Sequence, residues 1–127
     1  MTTEQGNKLI AEFMQLPNLG ERGWISPVMA SATPELLYHQ NWGWLMPVVE
    51  KINTYRWPEY YGTRGKQEDD GEWDDCVYLR TFGMRDIDGM YLVRFNASAL
   101  FNAPTLVEAT WLAVIDFIEW YNKTPKP

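Results

Sequence analysis

Arg80 and Arg94 are the residues whose type and placement point most directly to chemistry. They lie in two runs of alternating apolar and polar residues, joined by the loop from Gly83 to Gly89, a pattern typical of a β-hairpin. If the two glycines pair, Arg94 lies opposite Tyr78, and Arg80 lies diagonal to it on the same face. Two guanidinium groups beside a tyrosine could hold a phosphate or a carboxylate through paired hydrogen bonds.

Trp57 and the tyrosines that follow it precede this hairpin and could extend the same surface. Their rings would stack on a base if the bound anion belonged to a nucleotide. Two alternatives stay open on the sequence. The arginines could keep an exposed sheet face soluble, or they could form ion pairs with the acidic loop at 68–75.

His39 is the single histidine and lies just before a predicted helix. Its imidazole could transfer a proton together with a carboxylate, or bind the polar edge of a ligand. The interpretation that we favour is that it caps the helix or bonds a loop carbonyl. One histidine and one cysteine, Cys76, do not make the usual zinc set. Cys76 has no neighbouring base, so we interpret it as a small apolar residue of the core.

The loop at 68–75 invites comparison with a calcium site because it is rich in Asp and Glu around Gly71. Its carboxylates do not follow the spacing of a calcium loop, so we expect a solvated loop there. The chain contains no P-loop, no Rossmann glycine pattern, no hydrolase nucleophile motif and no zinc-protease helix. We therefore expect no metal and no cofactor, and an enzyme that uses His39 with a carboxylate is the weaker hypothesis.

Composition narrows the class of partner. The formal net charge of −6 disfavours nucleic acid and anionic membranes as partners of the whole surface. The N-terminus lacks the basic and apolar regions of a signal peptide, and no apolar run approaches the roughly 20 residues that cross a bilayer. Together with the single cysteine, this predicts a soluble protein of a reducing cytoplasm. The length of 127 residues predicts one domain, 1–127.

Three segments carry helical patterns, at 3–15, 41–52 and 105–121. The last is the longest, and Thr105 followed by Glu108 is a capping-box signature. It is apolar on two flanks, and the rest of the fold is not expected to cover Phe117 and Trp120 fully. We therefore expect a homodimer through this C-terminal helix.

Strand patterns occur at 54–61, 76–82 and 90–97, the first restricted to a sheet edge by Pro58. The residues expected on the core side are Val77, Leu79, Tyr91, Val93 and Phe95. The segment 20–37 reads as a long loop, pinned to the core by Trp24, Ile25 and Val28. The predicted fold is α+β, with helices on one face of a small three-stranded antiparallel sheet, in the order α-α-β-β-β-α.

The segments 6–14, 38–52 and 107–122 together resemble a family of small uncharacterised proteins of bacteriophages, prophages and Bacteroidota-like genomes. The resemblance covers about a third of the chain, in the same order, and does not include 53–103. It implies a phage or mobile-element origin and an accessory role inside a bacterial host cell. The family has no established activity, so no residue role follows from it.

These observations favour a non-enzymatic binding module. It would sequester a small anionic ligand such as a nucleotide, at Arg80, Arg94, Tyr78, His39 and Trp57, or mask a host protein through its acidic surface. Either action would serve a phage against host defence. A small enzyme using His39, or a purely structural interaction protein, is the alternative.

Overall fold

The computed structural model describes residues 2–29, 31–54, 77, 79–95 and 100–123, with the backbone alone at positions 80 and 81. Along these residues, three helices accompany two small antiparallel sheets, so the predicted α+β class is confirmed. The elements are α1 (Thr3–Phe13), β1 (Trp24–Ile25), β2 (Ala32–Thr33), α2 (Trp42–Asn53), β3 (Leu79–Arg85), β4 (Tyr91–Phe95), β5 (Phe101–Ala103) and α3 (Leu106–Lys123).

Each helix begins at a side chain that accepts a free backbone amide. The Thr2 hydroxyl accepts the amide of Gln5, and the Gln5 side chain accepts the amide of Thr2, which is a complete capping box. Asn41 accepts the third amide of α2. Thr105 accepts the amide of Glu108 at 3.2 Å, as the sequence predicts for α3.

The core lies between α3 and the three-stranded sheet. α3 contacts β4 and β5 of the sheet and also packs against α1 and α2. Val77, Val93 and Phe95 are fully buried, and Leu79 and Tyr91 pack against the core at partial exposure, so the predicted core face of the sheet is confirmed. Burial of these apolar side chains is the main stabilising contribution to the fold.

The β3–β4 hairpin has a different register from the predicted one. Arg80 lies directly opposite Arg94, and the register then shifts, so that Arg85 pairs with Tyr91. Gly83 has φ +85° within the shifted part, a conformation that suits glycine inside a bulge. The strand therefore continues past Gly83, and the turn is made by Asp86, whose carboxylate accepts two backbone amides.

The third strand of the sheet is β5. The sequence pattern did not predict a strand in this segment. Because β4 pairs with both β3 and β5, it is the central strand. The predicted edge strand at 54–61 lies outside the described residues, apart from Thr54, which caps the end of α2.

The segment 20–37 is not a plain loop. It contains a 3-10 turn at Gly20–Arg22 and the two-stranded sheet in which Trp24 pairs with Thr33. Trp24 packs against the core as predicted, whereas Val28 is 53% exposed and does not pin the segment. Ser26 is buried instead, and its hydroxyl accepts the amides of residues 28 and 29.

α3 is covered within the chain at the position where the sequence predicted exposure. Phe117 is fully buried, with Phe13 of α1 and Phe95 of β4 at ring distances of 6.3 and 6.2 Å. The expectation that Phe117 is left uncovered is therefore wrong, since α1 and the sheet enclose it. None of the helices in the described part of the chain is long and apolar enough to cross a membrane.

Candidate functional site

The first candidate site is the arginine pair, Arg80 of β3 and Arg94 of β4. Their Cα atoms are register partners, so the prediction that Arg94 lies opposite Tyr78 is wrong. The cause is that β3 continues to Arg85, so that the turn begins at Asp86 and not at Gly83, and the irregularity between Arg80 and Met84 only partly offsets this displacement. Tyr78 and Trp57, the predicted neighbours of the pair, lie outside the described residues.

Arg94 sits between Val93 and Phe95, both fully buried towards α3, so alternation along the strand directs it to the other face of the sheet. The side chain is half-buried. Its Nε atom is shielded from solvent, and no hydrogen-bond acceptor in the described part of the chain reaches it. A buried N–H without an acceptor is costly, and a charged one more so.

The second candidate site is built on Asn7 of α1, which is 3% exposed. The indole Nε1–H of Trp111 donates to the Asn7 Oδ1 atom at 2.8 Å. The Asn7 Nδ2 atom lies 2.9 Å from the Leu36 carbonyl oxygen and 2.9 Å from the His39 Nδ1 atom. These bonds tie α1 to α3 and to the segment that precedes α2.

His39 is therefore held by an amide. Its ring also lies edge-on to Trp111, with the ring centres 6.4 Å apart. Among the described residues no carboxylate bonds the imidazole directly, although Glu4 and Glu35 line the same cleft as His39. The predicted alternative, in which the ring donates to a loop carbonyl, is not found among the described residues either. The Leu36 carbonyl is bound by Asn7.

His39 lines a cleft of about 540 Å³, the Asn7 cleft, between α1 and the segment 24–39. A cleft of this volume is within the range of small-molecule sites. The side chains around it are Thr3, Glu4, Asn7, Lys8, Trp24, Pro34, Glu35, Leu36 and His39. Because two carboxylates and one ammonium group line it, the cleft carries a small net negative charge. Among the described residues, no three His, Cys, Asp or Glu side chains are placed to hold a metal ion.

Two buried or half-buried groups have shifted pKa values, Tyr38 beside His39 and Lys51 at the end of α1. Burial raises the pKa of Tyr38 to about 12, and its ring packs edge-on to Trp44 at 5.2 Å. Tyr38 is thus a neutral core residue at physiological pH. Desolvation lowers the pKa of Lys51, whose ammonium group donates to the carbonyl of Phe13 at the end of α1. Lys51 therefore completes the hydrogen bonding of a helix end.

Sequence reasoning singled out His39 but missed its partners, Asn7 and Trp111. The available signal was that Asn7 lies one turn before Ile10 on the buried stripe of α1. A polar residue on a buried helix face must find a partner. Which partner it finds depends on residues 32 and 104 positions away, and that cannot be derived from local spacing.

No known protein family matches the chain at a significant level, and no curated protein or solved structure does so either.

Proposed function

We propose that this protein is a non-enzymatic binding module that captures a small anionic ligand at the arginine pair, and that it acts as a phage-type accessory protein inside a bacterial host cell. The observation that carries the proposal is the register of the β3–β4 hairpin, in which Arg80 and Arg94 are direct cross-strand partners. The phage origin comes only from the resemblance of the three segments described above.

Opposed arginines are unfavourable without an anion. Directly opposed residues in an antiparallel pair have Cβ atoms about 5 Å apart, and like charges there destabilise the sheet. A phosphate or carboxylate between them would turn this repulsion into two charge-assisted interactions. The planar fork of each guanidinium suits such an anion better than an ammonium group would.

The Nε–H of Arg94 supports the same proposal, because it is shielded from solvent and has no acceptor among the described residues. A guanidinium binds an oxyanion most specifically through two parallel N–H donors, and Nε–H is commonly one of them. An oxygen of the ligand would supply the missing acceptor once the groups that shield Nε from solvent move aside on binding.

The overall charge favours a small anion over a polyanion. A chain with a formal net charge of −6 repels the extended backbone of a nucleic acid, whereas one compact phosphate group interacts mainly with the arginines nearest to it. A signalling nucleotide fits this description. Sequestering one would protect a phage from a host defence that depends on it.

The test is isothermal titration calorimetry with inorganic phosphate, AMP, ATP and a cyclic dinucleotide, on the wild type and on Arg94→Met. Methionine keeps the apolar stem and removes the charged donors. Because a hydrogen bond to a charged group contributes about 1.5–3 kcal/mol, we expect Arg94→Met to weaken binding at least about tenfold.

Arg85→Met is the matched control. Arg85 also lies in β3, but it is exposed, stacks on Tyr91 at 5.0 Å and is not part of the pair. We expect its affinity to stay within about twofold of the wild type. Equal affinity in wild type and Arg94→Met, or no binding of any of the four probes at millimolar concentration, would overturn the proposal.

A further inference from the structure

The orientation of the Asn7 amide is fixed by Trp111. An indole N–H can only donate a hydrogen bond, so the atom of Asn7 that lies 2.8 Å from it must be the amide oxygen. The Asn7 NH₂ group therefore faces the Leu36 carbonyl and His39. Both of its hydrogens are used as donors.

This orientation decides the tautomer of His39. Because Asn7 donates to Nδ1, that nitrogen must be the acceptor, and the proton of the neutral ring is on Nε2. Nε2 lies on the opposite side of the ring from the Asn7 bond, and no described residue accepts a hydrogen bond from it. Because His39 lines the Asn7 cleft and its Nε2 atom is not among the buried atoms without a partner, we take the Nε2–H as the donor that a ligand in the cleft would meet.

The other side chains that line the cleft determine which ligands with a hydrogen-bond acceptor would fit. Trp24 supplies an indole, the side chain that best stacks on flat rings. Glu4 and Glu35 supply acceptors for N–H groups, and with Lys8 they leave the lining slightly negative, which disfavours an anion. A simple cation has no atom that could accept a hydrogen bond from the His39 Nε2–H.

We propose that the Asn7 cleft binds a neutral planar heterocycle of the nucleobase class. Such a ring presents a carbonyl or ring nitrogen, which would accept the His39 Nε2–H, beside an amine, which would donate to Glu4 or Glu35. Its flat face would stack on Trp24. The site is separate from Arg94, which lies on the face of the sheet turned away from α3, and it does not depend on the anion proposal.

The test uses uncharged probes, namely adenosine, guanosine, cytidine and uridine, titrated into the full chain and followed by calorimetry and by indole N–H resonances in NMR. At least one nucleoside should bind and shift the Trp24 indole signal, identified by its loss in Trp24→Phe. No binding of any of the four at millimolar concentration, or binding that leaves the Trp24 signal in place, overturns the proposal.

A pair of substitutions separates the ligand donor from the structural bond. His39→Asn can still accept from Asn7 but has no group at the Nε2 position, so nucleoside affinity should fall at least tenfold while the thermal midpoint stays close to that of the wild type. His39→Gln places an N–H near the Nε2 position and should restore part of the affinity. Glu12→Gln, which removes a charge of α1 outside the cleft, is the control. Unchanged affinity in His39→Asn overturns the proposal.

Discussion

Three parts of the chain meet at the side chain of Asn7: α1 itself, α3 through Trp111, and the segment before α2 through Leu36 and His39. Removing this one side chain leaves a buried indole N–H and a carbonyl without partners. Each such group costs about 1–3 kcal/mol. We expect Asn7→Ala to lower the free energy of unfolding by roughly 3 kcal/mol, measured by urea denaturation.

The control for that substitution is Asn102→Ala in β5, where the side chain is exposed. A surface change of this kind should stay within about 0.5 kcal/mol of the wild type. If Asn7→Ala were equally mild, the three bonds would not organise the region, and the tautomer assigned to His39 would lose its basis.

The ionisation of Tyr38 makes the stability of the fold depend on pH. Its pKa is about 12 in the folded protein and about 10 in an unfolded chain, so the folded state holds the proton more tightly. Its contribution to stability is complete below about pH 10 and is lost as the pH rises towards 12. Between pH 10 and 12, the free energy of unfolding of Tyr38→Phe should therefore fall by roughly 2–3 kcal/mol less than that of the wild type.

Chemical denaturation at pH 8, 10 and 12 measures this difference. At pH 8 the two proteins should differ little, since the ring of phenylalanine fills the same space against Trp44. Parallel stability curves for wild type and Tyr38→Phe over this range would mean that Tyr38 is open to solvent.

At the scale of elements, the contact between α1 and α3 depends on Gly6. A Cβ atom there would lie 2.3 Å from Ile115 Cδ1 and 2.6 Å from Trp111 Cζ2, so both large side chains would have to move. Overpacking of this kind costs about 1–3 kcal/mol, more than the gain in helix propensity from glycine to alanine. We expect Gly6→Ala to lower the thermal midpoint.

Gly43→Ala in α2 is the matched comparison. Its nearest obstacles are Val28 Cγ2 at 2.9 Å, the end of an exposed side chain that can turn away, and the Asn41 cap oxygen at 3.0 Å, which must shift by only a few tenths of an ångström. The change should be neutral or should stabilise by up to about 1 kcal/mol. Equal effects of the two substitutions would show that the α1–α3 contact is not close-packed.

The helices and strands show how much of the fold local sequence patterns can predict. Helices near 3–15, 41–52 and 105–121 were predictable because their apolar periodicity and caps are local. The hairpin was predictable too, but its register was not, because Gly83 and Gly89 read alike in the sequence while one belongs to a bulge and the other to the turn. β5 was missed because three residues are too short for an alternating pattern.

The candidate sites, too, were predictable only in their local features. Arg80 and Arg94 were identified from their strands, yet their direct opposition came only with the observed register. The Asn7 cleft depends on contacts between α1, α3 and the segment before α2, and these are set by tertiary packing.

At the scale of the whole molecule, the proposed function implies a stability cost in the free protein. If Arg80 and Arg94 repel each other without a ligand, Arg94→Met should leave the free protein as stable as the wild type or more stable by about 0.5 kcal/mol. If acidic side chains pair with the arginines instead, the same substitution should destabilise the protein. Urea denaturation without added anions decides between the two.

A homodimer through α3 stays a prediction, with less support than the sequence suggested. Phe117 is enclosed within the chain, and Trp120 and Tyr121 are half-buried and pack against the core. Light scattering at micromolar concentration measures the oligomeric state directly. A monomer would leave the proposed binding function untouched, because the arginine pair lies within one chain.

Side-chain NMR observes directly the Arg94 Nε–H, the donor that the proposed function assigns to a bound anion. The Nε–H resonance of Arg94, assigned by its loss in Arg94→Met, should shift and become protected from exchange as a binding nucleotide is titrated, while that of Arg85 stays in place. A nucleotide that binds without moving the Arg94 resonance, or the absence of any nucleotide that moves it, would contradict the account.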